Sequence, residues 1–171
     1  MNWLLIGSGI DLNGRRMAAR IDSGHHGRVV RINKPYGHPL DTGTRCDLLV
    51  TRFPDWPTRF FGAALPATLP TLCLNTHTGT NLPADWPPFT QEEHRAACAE
   101  LGHPHASAGM LAAFYLLNRG QRHIAVIGFG YHPHTGWAPD KRYPDGTVDT
   151  NPAYNWPRER AWLQNNHITL L

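Results

Sequence analysis

Residues Trp3–Asn33 read WLLIGSGIDLNGRRMAARIDSGHHGRVVRIN, and the fold follows from this stretch. The apolar run Trp3–Ile6 ends at Gly7-Ser8-Gly9. A strand over about residues 2–6 is expected, then a helix over about Gly14–Ile21, capped by Asp11 or Asn13. Ser23-Gly24-His25-His26-Gly27 is turn chemistry, and Arg28–Asn33 is a second β-rich run. Strand, glycine turn, helix, strand is a unit that holds nucleotides. Small residues at the turn let backbone N–H groups approach a phosphate or ribose, although Gly-x-Gly also serves merely to turn a chain. The spacing of the full dinucleotide fingerprint is absent.

The same alternation continues along the chain. Asp47–Thr51 and Thr71–Leu74 read as further strands, with a short helix over Thr58–Ala64 between Pro57 and Pro66. Asn75–Phe89 reads as irregular. Thr90-Gln91-Glu92-Glu93 is a capping box that opens a helix running to Leu101 and stopped by Gly102. Ser107–Asn118 is a second helix, apolar nearly all round and closed at Gly120, so it belongs against a sheet. His123–Gly128 is the next strand. Tyr131–Asn155 shows no clear element. Pro157 opens a last helix to about Asn165, and Ile168–Leu171 reads as a closing strand. The pattern is that of an α/β protein: one domain, Rossmann-like, with a mostly parallel sheet flanked by helices.

A chain of 171 residues with 41% apolar and 17% charged content can bury a real core. It contains no apolar run near the roughly 20 residues of a membrane span. Residues 1–3 lack the features of a signal peptide. Cys46, Cys73 and Cys98 are odd in number and form no close pair, which fits a reducing, cytoplasmic setting rather than a disulfide framework or a zinc site. The net charge of +3 suits an anionic ligand, a nucleic acid or a membrane surface without choosing among them.

Two segments, taken together, resemble the motifs of the sialyltransferases, glycosyltransferase family 29. Gly7-Ser8-Gly9, Ile21-Asp22, Val29-Val30-Arg31-Ile32-Asn33 and Asp41-Thr42-Gly43-Thr44-Arg45 are similar to the long sialyl motif. Ala106-Ser107-Ala108-Gly109-Met110, followed by a helix and a strand ending Gly128-Phe129-Gly130, is similar to the short one. Order and spacing agree across most of the chain. The resemblance implies a Rossmann-like sheet that binds a CMP-activated sugar and transfers it to a hydroxyl with inversion. It implies no essential metal and no cofactor beyond the donor substrate itself.

On that resemblance, the nucleotide-binding candidates are Gly7, Ser8, Gly9, Asn33, Ser107, Ala108 and Gly109. Arg142-Tyr143, in Asp140-Lys141-Arg142-Tyr143, stands nearest to the family's His-Tyr element, and Lys141 or Arg142 is a candidate to neutralise the leaving phosphate. The chain also departs from the pattern. The Asn expected beside the first glycine is Ser8, and the Thr of the short motif is Ala108. The family's paired cysteines are absent. In the C-terminal motif, His, four residues, then Glu, the Glu is Glu159 but the His position holds Tyr154. A neutral Tyr with pKa near ~10 is a poor base at neutral pH. His132 and His134, just beyond the Gly128-Phe129-Gly130 strand end, are alternative bases, because a His needs no large shift for that role. His103 and His105 precede the short-motif helix.

Three functions stay open at this level. One is transfer of sialic acid or a related sugar from a CMP-sugar to a glycan or other hydroxyl acceptor. Another is nucleotide binding without transfer. The third, suggested only by the basic pI of 9.0 and the small size, is sugar transfer onto modified nucleic acid.

Overall fold

The computed structural model describes residues 2–7, 12, 14–33, 41–61, 65–132, 136–137 and 155–171. Seven strands form one sheet: β1 (Trp3–Ile6), β2 (Arg28–Ile32), β3 (Leu48–Thr51), β4 (Thr71–Cys73), β5 (Thr78–Thr80), β6 (Ile124–Ile127) and β9 (Thr169–Leu170). The helices are α1 (Ala18–Asp22), α2 (Trp56–Phe61), α3 (Gln91–Leu101), α4 (Ala108–Asn118) and α5 (Trp156–Asn165). A separate hairpin pairs β7 (Tyr131–His132) with β8 (Gly136–Trp137).

The sheet order is β5-β4-β3-β2-β1-β6-β9. All neighbours are parallel except β4 and β5. The chain winds outward from β1 to β4, then returns across the sheet to place β6 on the other side of β1. That reversal makes β1/β6 the switch point. In open α/β sheets a crevice forms there, beyond the carboxyl ends of the strands.

Alternate residues of each strand feed two cores. Trp3, Leu5, Val30, Ile32, Leu48, Val50, Leu72 and Val126 pack with α3, α4 and α5. Leu4, Ile6, Val29 and Ile127 pack with Leu12 and Ile21 on the opposite face. Helix α4 is buried from Met110 to Leu116, which is why its sequence shows no polar face. The capping box of α3 forms as its spacing requires: Thr90 Oγ1 accepts from Glu93 N, and Glu93 Oε2 accepts from Thr90 N. Gly102 ends α3 in the left-handed region, with φ of 61°.

Several local expectations shift. The first helix begins at Ala18 rather than Gly14, because Asp41 takes up the preceding amides: its Oδ1 accepts from Arg16 N and its carbonyl from Met17 N. Asp11 and Asn13 lie outside the described residues. Part of Asn75–Phe89 is the edge strand β5, too short and polar to carry a periodic signal. The Tyr131–Asn155 stretch contains the β7–β8 hairpin.

Candidate functional site

The carboxyl ends of β1, β2, β3, β4 and β6 bring together Gly7, Asn33, Arg52, Asn75 and Gly128. The amino end of α4 joins them through two contacts. Ala106 O accepts from the Arg52 guanidinium. The space beside Gly109 is filled by the Phe129 ring, so that a Cβ at Gly109 would sit 2.5 Å from Phe129 Cε1. A Cβ at Gly7 would overlap the carbonyl oxygen of Gly128 and press on the same ring. Phe129 therefore lies between the end of β1 and the start of α4. Packing alone asks for glycine at positions 7 and 109.

Most long-motif side chains build a scaffold for this edge. Arg31 is 1% exposed. Its Nε donates to Arg45 O at 2.8 Å, and its Nη2 to Thr42 O and Gly43 O at 2.8 and 2.9 Å. Nη1 reaches Thr42 Oγ1 at 3.4 Å. Burial lowers the guanidinium pKa, and the nearby Cys46 and Asp22 oppose that shift. An arginine stays charged even so. Burial also pushes the Cys46 thiol up to about 11, leaving it protonated at neutral pH. Asp22 accepts from Thr44 N and Arg45 N at 3.0 and 2.9 Å, and a Cβ on Gly43 would strike its carboxylate. Ile21-Asp22, Arg31 and Asp41–Arg45 thus form one clamp that fixes the loop before β3 against β2.

Asn33 ends β2 with φ of 62°, a left-handed conformation that Asn tolerates better than most residues. Its Oδ1 accepts from Arg52 N at 3.1 Å, which assigns the amide oxygen and leaves the NH2 as a donor.

At α4, Ser107 is the N-cap: its Oγ accepts from Met110 N at 3.2 Å. The same hydroxyl donates to Glu159 Oε2 at 2.5 Å, and Ser107 N donates to Glu159 Oε1 at 2.6 Å. Glu159 is 5% exposed and comes from α5. That helix is pinned to the end of α3 by Arg158, which donates to Gly102 O, and by Trp162 Nε1, which donates to Glu100 Oε2 at 3.0 Å. The Ser107 hydroxyl is consequently used twice within the protein. What α4 offers outward are the N–H groups of Ala108 and Gly109, which have no intrahelical acceptor. Glu159 has already placed a carboxylate against this helix end, so a neutral carbonyl suits those amides better than a second anion.

His132 lies in β7, which follows directly from Gly128-Phe129-Gly130. Ser8, Gly9, His134, Arg142 and Tyr154 lie outside the described residues. The structure therefore brings together Gly7, Asn33, Ser107, Ala108 and Gly109. It adds Arg52, which the sequence did not single out, since an Arg after a strand carries no signal until its partners are known. Among the described residues no group of three or more His, Cys, Asp or Glu could hold a metal ion.

The class these features define is a Rossmann-like α/β protein with its candidate site at the carboxyl edge, beside the switch point. Within that class, the architecture is the one seen in mammalian sialyltransferase structures. A crystal structure of a mammalian sialyltransferase in complex with Gal-beta-1-3GalNAc-ortho-nitrophenol aligns with a TM-score of 0.61 at 15% identity, over 99% of this chain and 68% of that one. A second mammalian sialyltransferase crystal structure aligns with a TM-score of 0.65 at 14% identity, with the same coverage. No family model matches the sequence, and no curated protein matches it either. At such identities the likeness is one of fold.

Proposed function

We propose that this chain is a glycosyltransferase that uses a CMP-activated sugar, sialic acid or a related sugar acid, and transfers it to an acceptor hydroxyl with inversion. The observation that carries this reading is the Ser107–Glu159 pair. It joins the short-motif segment to the C-terminal Glu at the same sheet edge as Asn33. Three separate pieces of the family pattern thus meet at one place. The fold likeness to sialyltransferases supports the same reading.

The division of labour follows from the chemistry. The cytosine carbonyl is held by the Ala108 and Gly109 amides. The Asn33 NH2 serves a ribose hydroxyl or the phosphate. Arg142 is assigned to the leaving phosphate. The base that takes the acceptor proton is His132 or His134 in this reading, since Tyr154 needs a strongly lowered pKa to act.

Isothermal titration of the chain with CMP tests the donor assignment. Saturable binding of CMP in preference to UMP is expected, and an absence of binding at millimolar nucleotide would sink it. A second reading is a nucleotide-binding module without transfer, which the Tyr at position 154 favours. Protein that binds CMP, neither transfers nor hydrolyses a CMP-sugar, and gains activity on Tyr154→His would decide for that reading.

A further inference from the structure

Arg52 meets the two walls of the candidate cleft with different groups. Its backbone N–H donates to Asn33 Oδ1 at 3.1 Å. Its guanidinium donates through Nη2 to Ala106 O, the carbonyl one residue ahead of the α4 N-cap. Asn33 closes the strand of the long-motif segment, and Ala106 opens the short-motif segment. A single residue from neither motif therefore joins the two.

The backbone of Arg52 is itself held firmly. It follows β3 directly. Its carbonyl accepts from Asn75 N at 3.1 Å and from Cys73 Sγ at 3.3 Å, so the end of β4 fixes it from the side away from Asn33. Thr51, just before it, is fully buried, and its Oγ1 donates to Phe53 O at 2.9 Å across it. In the side chain, Nη1 stands 3.5 Å from Asn75 Oδ1. A guanidinium is a planar fork, so neighbouring acceptors restrict its orientation as well as its position.

Both walls need that support. Asn33 has φ of 62°, a conformation that costs a non-glycine residue free energy and persists only where the surroundings hold it. The Arg52 N–H is part of what holds it. The amino end of α4 is fixed from the α5 side by Glu159 on Ser107. Arg52 reaches the same helix end from the β3 side.

We propose that Arg52 is a positioning residue, a brace that sets the separation between the Asn33 amide and the Ala108 and Gly109 amides so that one nucleotide engages both. This rests on the CMP-sugar reading for the identity of the ligand, whereas the brace rests on the hydrogen bonds alone. Arg52 acts through Asn33 and α4 and does not itself touch the ligand. A ligand that spans two walls at the right separation gains more than its halves do, because the second contact forms at a high effective concentration. A loosened wall forfeits that gain and leaves each half-site intact.

The test compares CMP with its two halves, cytosine and ribose 5-phosphate, in NMR titrations of the full chain. The parent should bind CMP more tightly than either half. In Arg52→Gln, CMP affinity should fall about tenfold or more, while cytosine and ribose 5-phosphate stay within about twofold. Arg52→Lys, which keeps the charge and one donor, should recover most of the loss. Arg52→Met, which keeps the aliphatic stem, carries the same expectations should Arg52→Gln fail to fold. CMP affinity unchanged in these variants would overturn the proposal. So would a fall in ribose 5-phosphate affinity as large as that for CMP, which would make Arg52 a ligand contact.

Hydrogen exchange in the ligand-free chain separates this proposal from the nucleotide reading. Arg52→Gln should speed exchange at Ser107 and Met110, whose N–H groups are bonded at the start of α4. Unchanged exchange there, in a parent that binds CMP, removes the brace and keeps the nucleotide reading. Faster exchange in a chain whose parent binds no CMP removes the nucleotide reading and keeps the brace.

Discussion

Glu159 closes on Ser107 across 52 positions of sequence, its two carboxylate oxygens accepting from the backbone N–H and the hydroxyl of the same residue. The pair is buried on both sides. It ties the start of α4 to α5, and therefore fixes where the Ala108 and Gly109 amides point. Glu159→Gln leaves one acceptor for two donors and removes the charge that complements the helix end. A loss of about 1–3 kcal/mol in urea unfolding is expected. CMP affinity should fall further than Ser107→Ala alone would cause, because that variant keeps the carboxylate against the Ser107 amide. Equal stability of Glu159→Gln and the parent would show that the pair does not hold α4.

Arg31 occupies a core position that a Leu or Val would normally fill. Arg31→Met keeps the volume roughly and leaves the carbonyls of Thr42, Gly43 and Arg45 without their donor. Each unsatisfied buried acceptor costs about 1–3 kcal/mol, so a loss of roughly 3 kcal/mol or more is expected. Hydrogen exchange at Thr44 and Arg45, whose amides bond Asp22, should accelerate before the β1 and β6 amides do. Uniform acceleration across the sheet would argue against a local clamp.

The Gly109–Phe129 contact predicts a change of sign. In an open helix Gly→Ala is stabilising by up to ~1 kcal/mol. Here the added Cβ meets the Phe129 ring at 2.5 Å, and overpacking of this kind costs about 1–3 kcal/mol. Gly109→Ala should destabilise the parent and stabilise a Phe129→Ala background, as measured by thermal unfolding of the double-mutant cycle. Gly7→Ala should find no such relief, because its obstacle includes the Gly128 backbone carbonyl.

Stability should depend on pH through His26 and His94. Burial lowers the pKa of both from 6.5, helped by Arg20 and His25 at His26, and by Arg52, His77 and His105 at His94. Below that value the unfolded chain binds protons that the folded chain resists. The contribution of the neutral rings is therefore complete above 6.5 and is lost as pH falls below it. Urea midpoints should drop between about pH 7.5 and about pH 5.5. The drop should be smaller in His94→Gln. A flat profile would remove the desolvated histidines from the account.

By itself the sequence determined the order of the main strands and helices, a mostly parallel sheet and both caps of α3, and it missed the edge strand β5 and the β7–β8 hairpin. Those features depend on local periodicity, on the turn glycines and on side chains such as Thr90 and Glu93 that bond within one turn. Glu159 was placed by its frame with Tyr154, but its partner was not legible. Nothing near Ser107 in the chain announces a carboxylate from α5. Tertiary structure alone decided that Gly7 and Gly109 make room for Phe129, that Arg31 and Asp22 spend their hydrogen bonds on the Asp41–Arg45 loop, and that Arg52 reaches Ala106 at the start of α4. Each depends on strands and helices distant in sequence arriving at one edge. A long-range contact leaves no periodic trace, because its partners are chosen by the packing of the sheet and not by their neighbours in the chain.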